Sequence, residues 1–372
     1  MLSSLTKIIY KNIFKPVLFS FEPDDVHQKF LEIGNFLGSN SLTKLVVNTW
    51  FNFENNMLEQ NIADIFFKNP VGLAAGFDKD AHLINILSDV GFGHEEIGTV
   101  TYKSYKGNKQ PWTKRLLNSK AILVNFGLKN TGVKRISKTI KNYFPNRQFV
   151  YGISIGKTNA KYTTTLNAGI KDYIDSLTYL NKKGICDYYT INISCPNMFG
   201  GETFTTTDKL EPLLKEISNL KIKQPIFLKM PINLQWEDFK PLCDLAIKYN
   251  ITGVVIGNLN KNRNDPNIKD KIENSSKGNI SGKPTETLSN NLIEKTYKKF
   301  GNKLIIIGVG GIFSAEDAYL KIKKGASLVQ LITGMIYEGP QLIGEINRGL
   351  VKLLKDDGLE NISEAVGLEF EK

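Results

Sequence analysis

Past residue 68 the chain alternates between two textures. Short apolar runs rich in Val, Ile and Gly, at residues 69–76, 94–101, 149–156, 188–194, 225–230, 253–258, 304–311 and 328–334, read as strands buried on both faces. Longer stretches at 171–183, 236–249, 289–300 and 315–324 carry apolar residues at helical spacing, several behind a Ser or Asp that can cap them. Eight strands with helical crossovers predict a parallel sheet closed into a (β/α)8 TIM barrel over residues 69–372. The competing open, doubly wound sheet wants a GxGxxG after its first strand, and none stands there.

Residues 1–68 have a different pattern. Ile8, Ile9, Ile13 and Phe14 are set among lysines, as in an amphipathic segment that lies in a membrane interface or packs on the main domain. Residues 23–33 read as a second, capped helix with its apolar face at Val26, Phe30 and Ile33. The expectation is an N-terminal two-helix, membrane-associating extension ahead of the barrel. It lacks a small-residue cleavage site, so it is expected in the mature protein. No apolar run reaches the roughly 18 residues of a spanning helix. Polar residues 262–278, between the sixth and seventh runs, read as a mobile excursion over the barrel.

With 372 residues and 41% hydrophobic content, the chain can bury a large core. Cys186, Cys195 and Cys243 are odd in number and form no CxxC, which argues against a disulfide framework or zinc site and fits a reducing compartment such as the cytoplasm. His27, His82 and His94 are not at metal-ligand spacing, so no metal is expected. The net charge of +11 comes from scattered lysines without an aromatic-basic platform, and no nucleic acid partner is expected.

In a barrel the chemistry gathers at the C-terminal ends of the strands. The fourth run ends in Thr190-Ile-Asn-Ile-Ser-Cys-Pro-Asn197, a thiol flanked by two amides. Cys195 can accept a proton once its thiolate fraction rises, while Asn192 and Asn197 offer paired donors and acceptors to a planar heterocycle. An isolated Cys-Pro-Asn would more often be an inert buried thiol beside a turn. Gly310-Gly311 and Thr333-Gly334, after the last two runs, supply backbone N–H groups where barrels commonly hold a phosphate. Lys229 ends an apolar run, so it must either meet an electron-rich group such as a flavin edge or snorkel to solvent.

Together with Asn69-Pro-Val-Gly-Leu-Ala-Ala-Gly-Phe-Asp-Lys79, Glu96-Ile-Gly-Thr-Val-Thr101, Ile280-Ser-Gly-Lys-Pro284 and Ile306-Ile-Gly-Val-Gly-Gly-Ile312, these features make the chain resemble the dihydroorotate dehydrogenase family over nearly its whole length. Phe21-Glu-Pro-Asp-Asp-Val-His27 is similar to the extension by which the quinone-linked, membrane-associated class meets the bilayer. The resemblance implies FMN held by Ala75, Gly76, Lys79, Thr99, Asn192, Lys229, Gly282, Gly311, Thr333 and Gly334. It implies dihydroorotate held by Lys79, at its carboxylate, and by Asn192, Asn197 and Asn258 at its amide edges. Cys195 would take the C5 proton as a hydride leaves C6, giving orotate, and electrons would pass to quinone in a channel lined by His27 and Arg115.

The chain departs from the family pattern at several positions. The quinone-linked class usually carries serine as the base, whereas Cys195 is the choice of the soluble class; a thiol, with an ordinary pKa of about 8.5, preserves the role. Val124 falls where the family has a substrate asparagine, which Asn125 could replace only if the loop shifts by one residue. Ser154, Gly257 and Leu259 likewise replace polar family residues. A different dihydropyrimidine or enone substrate, or an inactive barrel, therefore remains an alternative expectation.

Overall fold

In the computed structural model, residues 2–143, 149–201 and 203–370 are described. All eight predicted runs form strands of one closed, parallel barrel: β1 (Val71–Leu73), β2 (His94–Val100), β3 (Val150–Ile155), β4 (Tyr188–Asn192), β5 (Ile226–Met230), β6 (Gly253–Ile256), β7 (Ile305–Val309) and β8 (Leu328–Leu331). They lie in chain order around the barrel, and β8 closes onto β1 through the register Val329↔Val71. Helices Leu166–Asn181, Trp236–Lys248, Glu286–Phe300 and Ala315–Lys323 cover the outside at the predicted places, the last capped by Ser314 Oγ on the Asp317 N–H at 3.2 Å.

The ends of the barrel are treated differently. A hairpin, Gln60–Ile62 paired with Ile65–Phe67, places Ile62 and Phe67 against Tyr188, Phe227, Val255 and Leu328 and plugs the N-terminal end with apolar side chains. The C-terminal end is roofed by a three-stranded antiparallel sheet in the order Asn279–Gly282, Ala121–Val124, Thr113–Leu116. One face of this roof, with Leu116, Ala121, Leu123 and Ile280, is a small core of its own. Residues 262–278 are laced down where an excursion was expected: Arg263 donates to the Ser276 and Gly278 carbonyls at 2.7 and 2.9 Å, and Asp270 accepts from the Asn118 and Ser119 N–H groups.

Ahead of the barrel there are three helical segments, one more than the two expected. Leu2–Ile9 continues through a π-helical stretch, Tyr10–Phe14, into Lys15–Phe19; Pro23–Gly38 and Ser41–Phe51 follow. Pro23–Gly38 starts with proline at its first turn, and its N-cap residue Glu22 makes no side-chain cap bond; Asp24, in the first turn, instead accepts from the Trp112 N–H and Thr113 Oγ1 at 2.9 and 2.6 Å. Its predicted face of Val26, Phe30 and Ile33 looks onto a cavity, while Leu31 is buried. Twelve of the sixteen exposed large apolar side chains among the described residues lie between Leu5 and Trp50, including Phe14, Phe21, Phe36 and Leu42. That is too concentrated for scattered surface residues. No helix among the described residues is long and apolar enough to cross a membrane.

Candidate active site

Beyond the apolar layer at the plugged end, the barrel interior carries polar groups where further Val and Ile layers would be usual. The ammonium of Lys229, on β5, lies 3.5 Å from Glu96 Oε1, on β2, with both side chains almost fully buried. Glu96 Oε2 also accepts from Thr190 Oγ1 at 3.0 Å and Gln330 Nε2 at 3.4 Å. Lys229 thus neither snorkels nor stands alone; a buried charge needs such partners. The sequence signal for Glu96 is a charged residue within a strand run, and the Glu96–Thr101 motif by itself gave that residue no role.

Next to this pair, β2 is irregular between Ile97 and Val100. Gly98 adopts φ +114°, and a Cβ there would sit 2.7 Å from the Val100 nitrogen and 2.8 Å from the Ser154 oxygen, so glycine is required. The irregularity aims Thr99 into the barrel mouth, where its Oγ1 accepts from Asn192 Nδ2 at 2.8 Å and pairs with Ser154 Oγ at 2.9 Å. Ser154 is fully buried in this contact. Asn192 is fixed further by the Tyr173 hydroxyl, which donates to its carbonyl at 2.7 Å.

One cavity of about 470 Å3 opens here. The tertiary structure brings Ala75, Gly76, Lys79, Thr99 and Asn192 onto its wall, with Cys195, Asn197, Lys229, Asn258 and Thr333. Gly282, Gly311 and Gly334 are not on the wall; they stand where a Cβ would meet Thr333 Cγ2, the Glu286 side chain and the Ile312 carbonyl respectively. Cys195 is half-buried at the cavity and forms no disulfide, whereas Cys186 and Cys243 are buried in the core. Burial pushes the Cys243 thiol up to about 12, as befits an inert side chain.

Lys79 has the most telling environment. Its Nζ is buried without a hydrogen-bond partner and lies 3.8 Å from the centroid of the Phe126 ring. Burial, helped by the nearby Lys129 charge and opposed by Asp80, Asp78 and Asp24, pulls its pKa down to about 7. Asp78 holds the turn that presents it, accepting from the Leu83 and Asp80 N–H groups at 2.6 and 3.3 Å. Such an ammonium lacks an anion.

Asn258 donates to the Ser194 carbonyl and hydroxyl at 3.0 and 2.6 Å, while its Oδ1 accepts the Leu259 N–H. Val124 and Leu259 are on the cavity wall and Gly257 is not. The one-residue shift that would bring in Asn125 does not occur: its Oδ1 accepts from Asn108 Nδ2 at 3.0 Å, away from the cavity. Asn108, missed in the sequence, also donates to the Asn197 carbonyl at 2.9 Å and so ties the Cys195 loop to the roof. Among the described residues, no cluster of three or more His, Cys, Asp or Glu could hold a metal.

The same cavity runs out under the N-terminal helices past Tyr10, Leu18, Phe19, Phe30 and Phe51. His27 lies along it, its Nε2 2.8 Å from the Phe77 carbonyl, and burial pulls its pKa down to about 3, so it is neutral. Arg115 is engaged as a clasp: it donates to the carbonyls of Leu18, Phe19 and Phe21 and sits over the Phe19 ring at 4.5 Å. Three charge-assisted contacts at a helix C-terminus should hold the first segment down. Arg115→Met is expected to speed proteolytic cleavage around residues 18–22 by tenfold or more, since a hydrogen bond from a charged group is worth roughly 1.5–3 kcal/mol. Unchanged cleavage would remove the clasp.

A sequence model described as dihydroorotate dehydrogenase matches residues 57–354. The chain is 38% identical over 377 residues to the dihydroorotate dehydrogenase (quinone) of Trichodesmium erythraeum, covering 97% of this chain and 98% of that protein. It is also 38% identical over 364 residues to that of Crocosphaera subtropica, covering 94% of each. Among solved structures, the dihydroorotate dehydrogenase of Eimeria tenella in complex with ferulenol superposes with a TM-score of 0.85 at 25% identity, covering 96% of this chain and 99% of that one. With a family match over most of its length and relatives of this similarity, the chain belongs to the dihydroorotate dehydrogenase family.

Proposed function

We propose that this protein is an FMN-dependent enzyme that oxidises dihydroorotate to orotate in pyrimidine biosynthesis and passes the electrons to quinone. The observation that carries this reading is a single cavity joining Cys195 and the partnerless ammonium of Lys79 to the apolar passage under the N-terminal helices. Substrate chemistry and a lipophilic acceptor then share one space. We assign residues 1–68 to the quinone- and membrane-facing extension and 69–372 to the catalytic barrel.

The residues present fit a flavin. Gly76, at φ +118° with only Ile332 within reach of a Cβ, leaves a flat stretch of backbone on the wall, and Lys229 offers a fixed positive charge there. Ala75, Gly76, Thr99, Asn192 and Lys229 would border the ring. Thr333, on the wall, and Gly334 would hold the phosphate, since N–H groups in the first turn of Thr333–Glu338 have no partner within the helix; the resemblance adds Gly282 and Gly311, which stand off the wall. When bound, the flavin supplies the acceptor for the hydride leaving C6 of the substrate.

The protein's own share is binding, orientation and one proton. Lys79 pairs with the substrate carboxylate, and Asn192, Asn197 and Asn258 face its amide edges. Cys195 Sγ takes the proton from C5. His27 and Arg115 border the quinone passage, and the apolar surface from Leu5 to Trp50 supports peripheral attachment to a membrane.

Anaerobic mixing with L-dihydroorotate should bleach the flavin; no bleaching at millimolar substrate would reject the reading. Val124 and Leu259 on the wall favour a second outcome, in which another dihydropyrimidine or an enone reacts instead. A pH titration probes Lys79 directly. Only its protonated form pairs with a carboxylate, and its pKa of about 7 lies far below the ordinary lysine value. Orotate affinity should therefore be flat below pH ~7 and fall about tenfold per pH unit above it, with proton uptake on binding at pH ~8. Affinity that stays constant from pH ~6 to ~8.5 would contradict this role.

A further inference from the structure

We propose that Asn279 is a positioning residue that compensates, from a neighbouring strand and by holding Asn197, for the amide missing at Val124; this rests on the dihydroorotate reading above. Thr113, Val124 and Asn279 are directly paired across the roof sheet, as are Arg115, Ile122 and Ser281. Paired residues of antiparallel strands present their side chains on one face. Of these six, all but Asn279 line the cavity, so the face is the one turned to the site.

Asn279 thus carries its amide on the cavity-side face, one strand, about 4.8 Å, from where the family pattern puts an asparagine. It does not reach the wall itself. Its Nδ2 donates to Asn197 Oδ1 at 2.7 Å, and Asn197 is on the wall.

The hydrogen-bond chemistry fixes which way Asn197 points. Its other amide atom lies 2.8 Å from the Val124 carbonyl, which can only accept, so that atom must be the nitrogen. Oδ1 is then left facing Asn279, which must donate. Held from both sides, Asn197 keeps one N–H and one lone pair in a fixed direction for an imide or amide edge of the substrate. A valine at 124 contributes only its backbone carbonyl to this arrangement. Without Asn279 the amide loses one of its two anchors and can turn.

The test uses the full-length, flavin-loaded enzyme and three variants. Asn279→Ala should weaken orotate binding and raise the dihydroorotate KM about tenfold, the effect of one orienting hydrogen bond, with the limiting rate of flavin reduction within about threefold of the parent. Adding Val124→Asn to that variant should restore affinity to within about threefold, because it returns the amide to the cavity directly. Asn279→Asp, which sets an acceptor against Asn197 Oδ1, should bind orotate more weakly than the alanine variant and serves if the latter folds poorly. Flavin content and unfolding midpoint certify each fold. Parent-like orotate affinity in Asn279→Ala and Asn279→Asp overturns the proposal. So does a loss of limiting rate that Val124→Asn leaves unrepaired, since that marks Asn279 as a brace for the Cys195 loop only. A parent enzyme that neither binds orotate nor is bleached by dihydroorotate rejects the functional reading itself, and this inference with it.

Discussion

Cys195→Ala is expected to slow flavin reduction by dihydroorotate by about 10²- to 10⁴-fold, the span of a lost general base, while the flavin stays bound. The cofactor should be retained because polar groups proposed to border it have partners other than the thiol: Asn192 donates to Thr99, which pairs with Ser154, and Lys229 is held by Glu96. Cys195→Ser is the more instructive variant. A hydroxyl is a poorer proton acceptor near neutrality than a thiol, but it occupies nearly the same position in a loop tied down through Asn108 and Asn258. Partial activity that climbs with pH would place the proton transfer at this side chain. Near-parental rates in the alanine variant would exclude it.

Removing residues 2–21 should produce the second large effect, and the structure dictates where to cut. A deletion reaching residue 36 would break Pro23–Gly38, which carries His27 and the Asp24 anchor to Trp112 and Thr113. Stopping at 21 strips Tyr10, Leu18 and Phe19 from the passage wall and leaves the next two helices in place. Each apolar side chain removed from contact with a lipophilic acceptor costs about 1.5–3 kcal/mol if fully buried, so the quinone KM should rise more than tenfold. Reduction of the flavin by dihydroorotate should be untouched, and dependence on detergent or lipid should lessen. Quinone turnover with a parental KM would take the first segment out of the acceptor site. The segment is otherwise held to the barrel by Lys7 with Glu345 at 2.9 Å, by Lys11 with Glu338, and by the Tyr10 hydroxyl on the Ile336 carbonyl at 2.8 Å.

The contrast between what could and could not be read along the chain follows the range of the interactions. Strands of a parallel barrel are buried on both faces, so each leaves an unbroken apolar run, and all eight were legible with ends correct to within a few residues. Four of the helices between them were visible by period, whereas Val133–Tyr143 and Thr207–Asn219 were not named. Ser41–Phe51 was not read, because so many of its apolar residues stay exposed that it shows no single buried stripe. Chemistry at the strand ends was legible because polar residues interrupting apolar runs stand out.

Sequence by itself determined the barrel, its chain order and the identities of the side chains at its mouth. Only the tertiary structure decided their partners: Glu96 for Lys229, the Phe126 ring but no hydrogen-bond acceptor for Lys79, helix-end carbonyls for Arg115, and Asn279 for Asn197. Asn279 and Val124 are 155 residues apart in the chain yet directly opposed in the roof sheet. Local pattern carries the burial and periodicity of each element. Whether a polar atom is satisfied depends on which distant element closes over it.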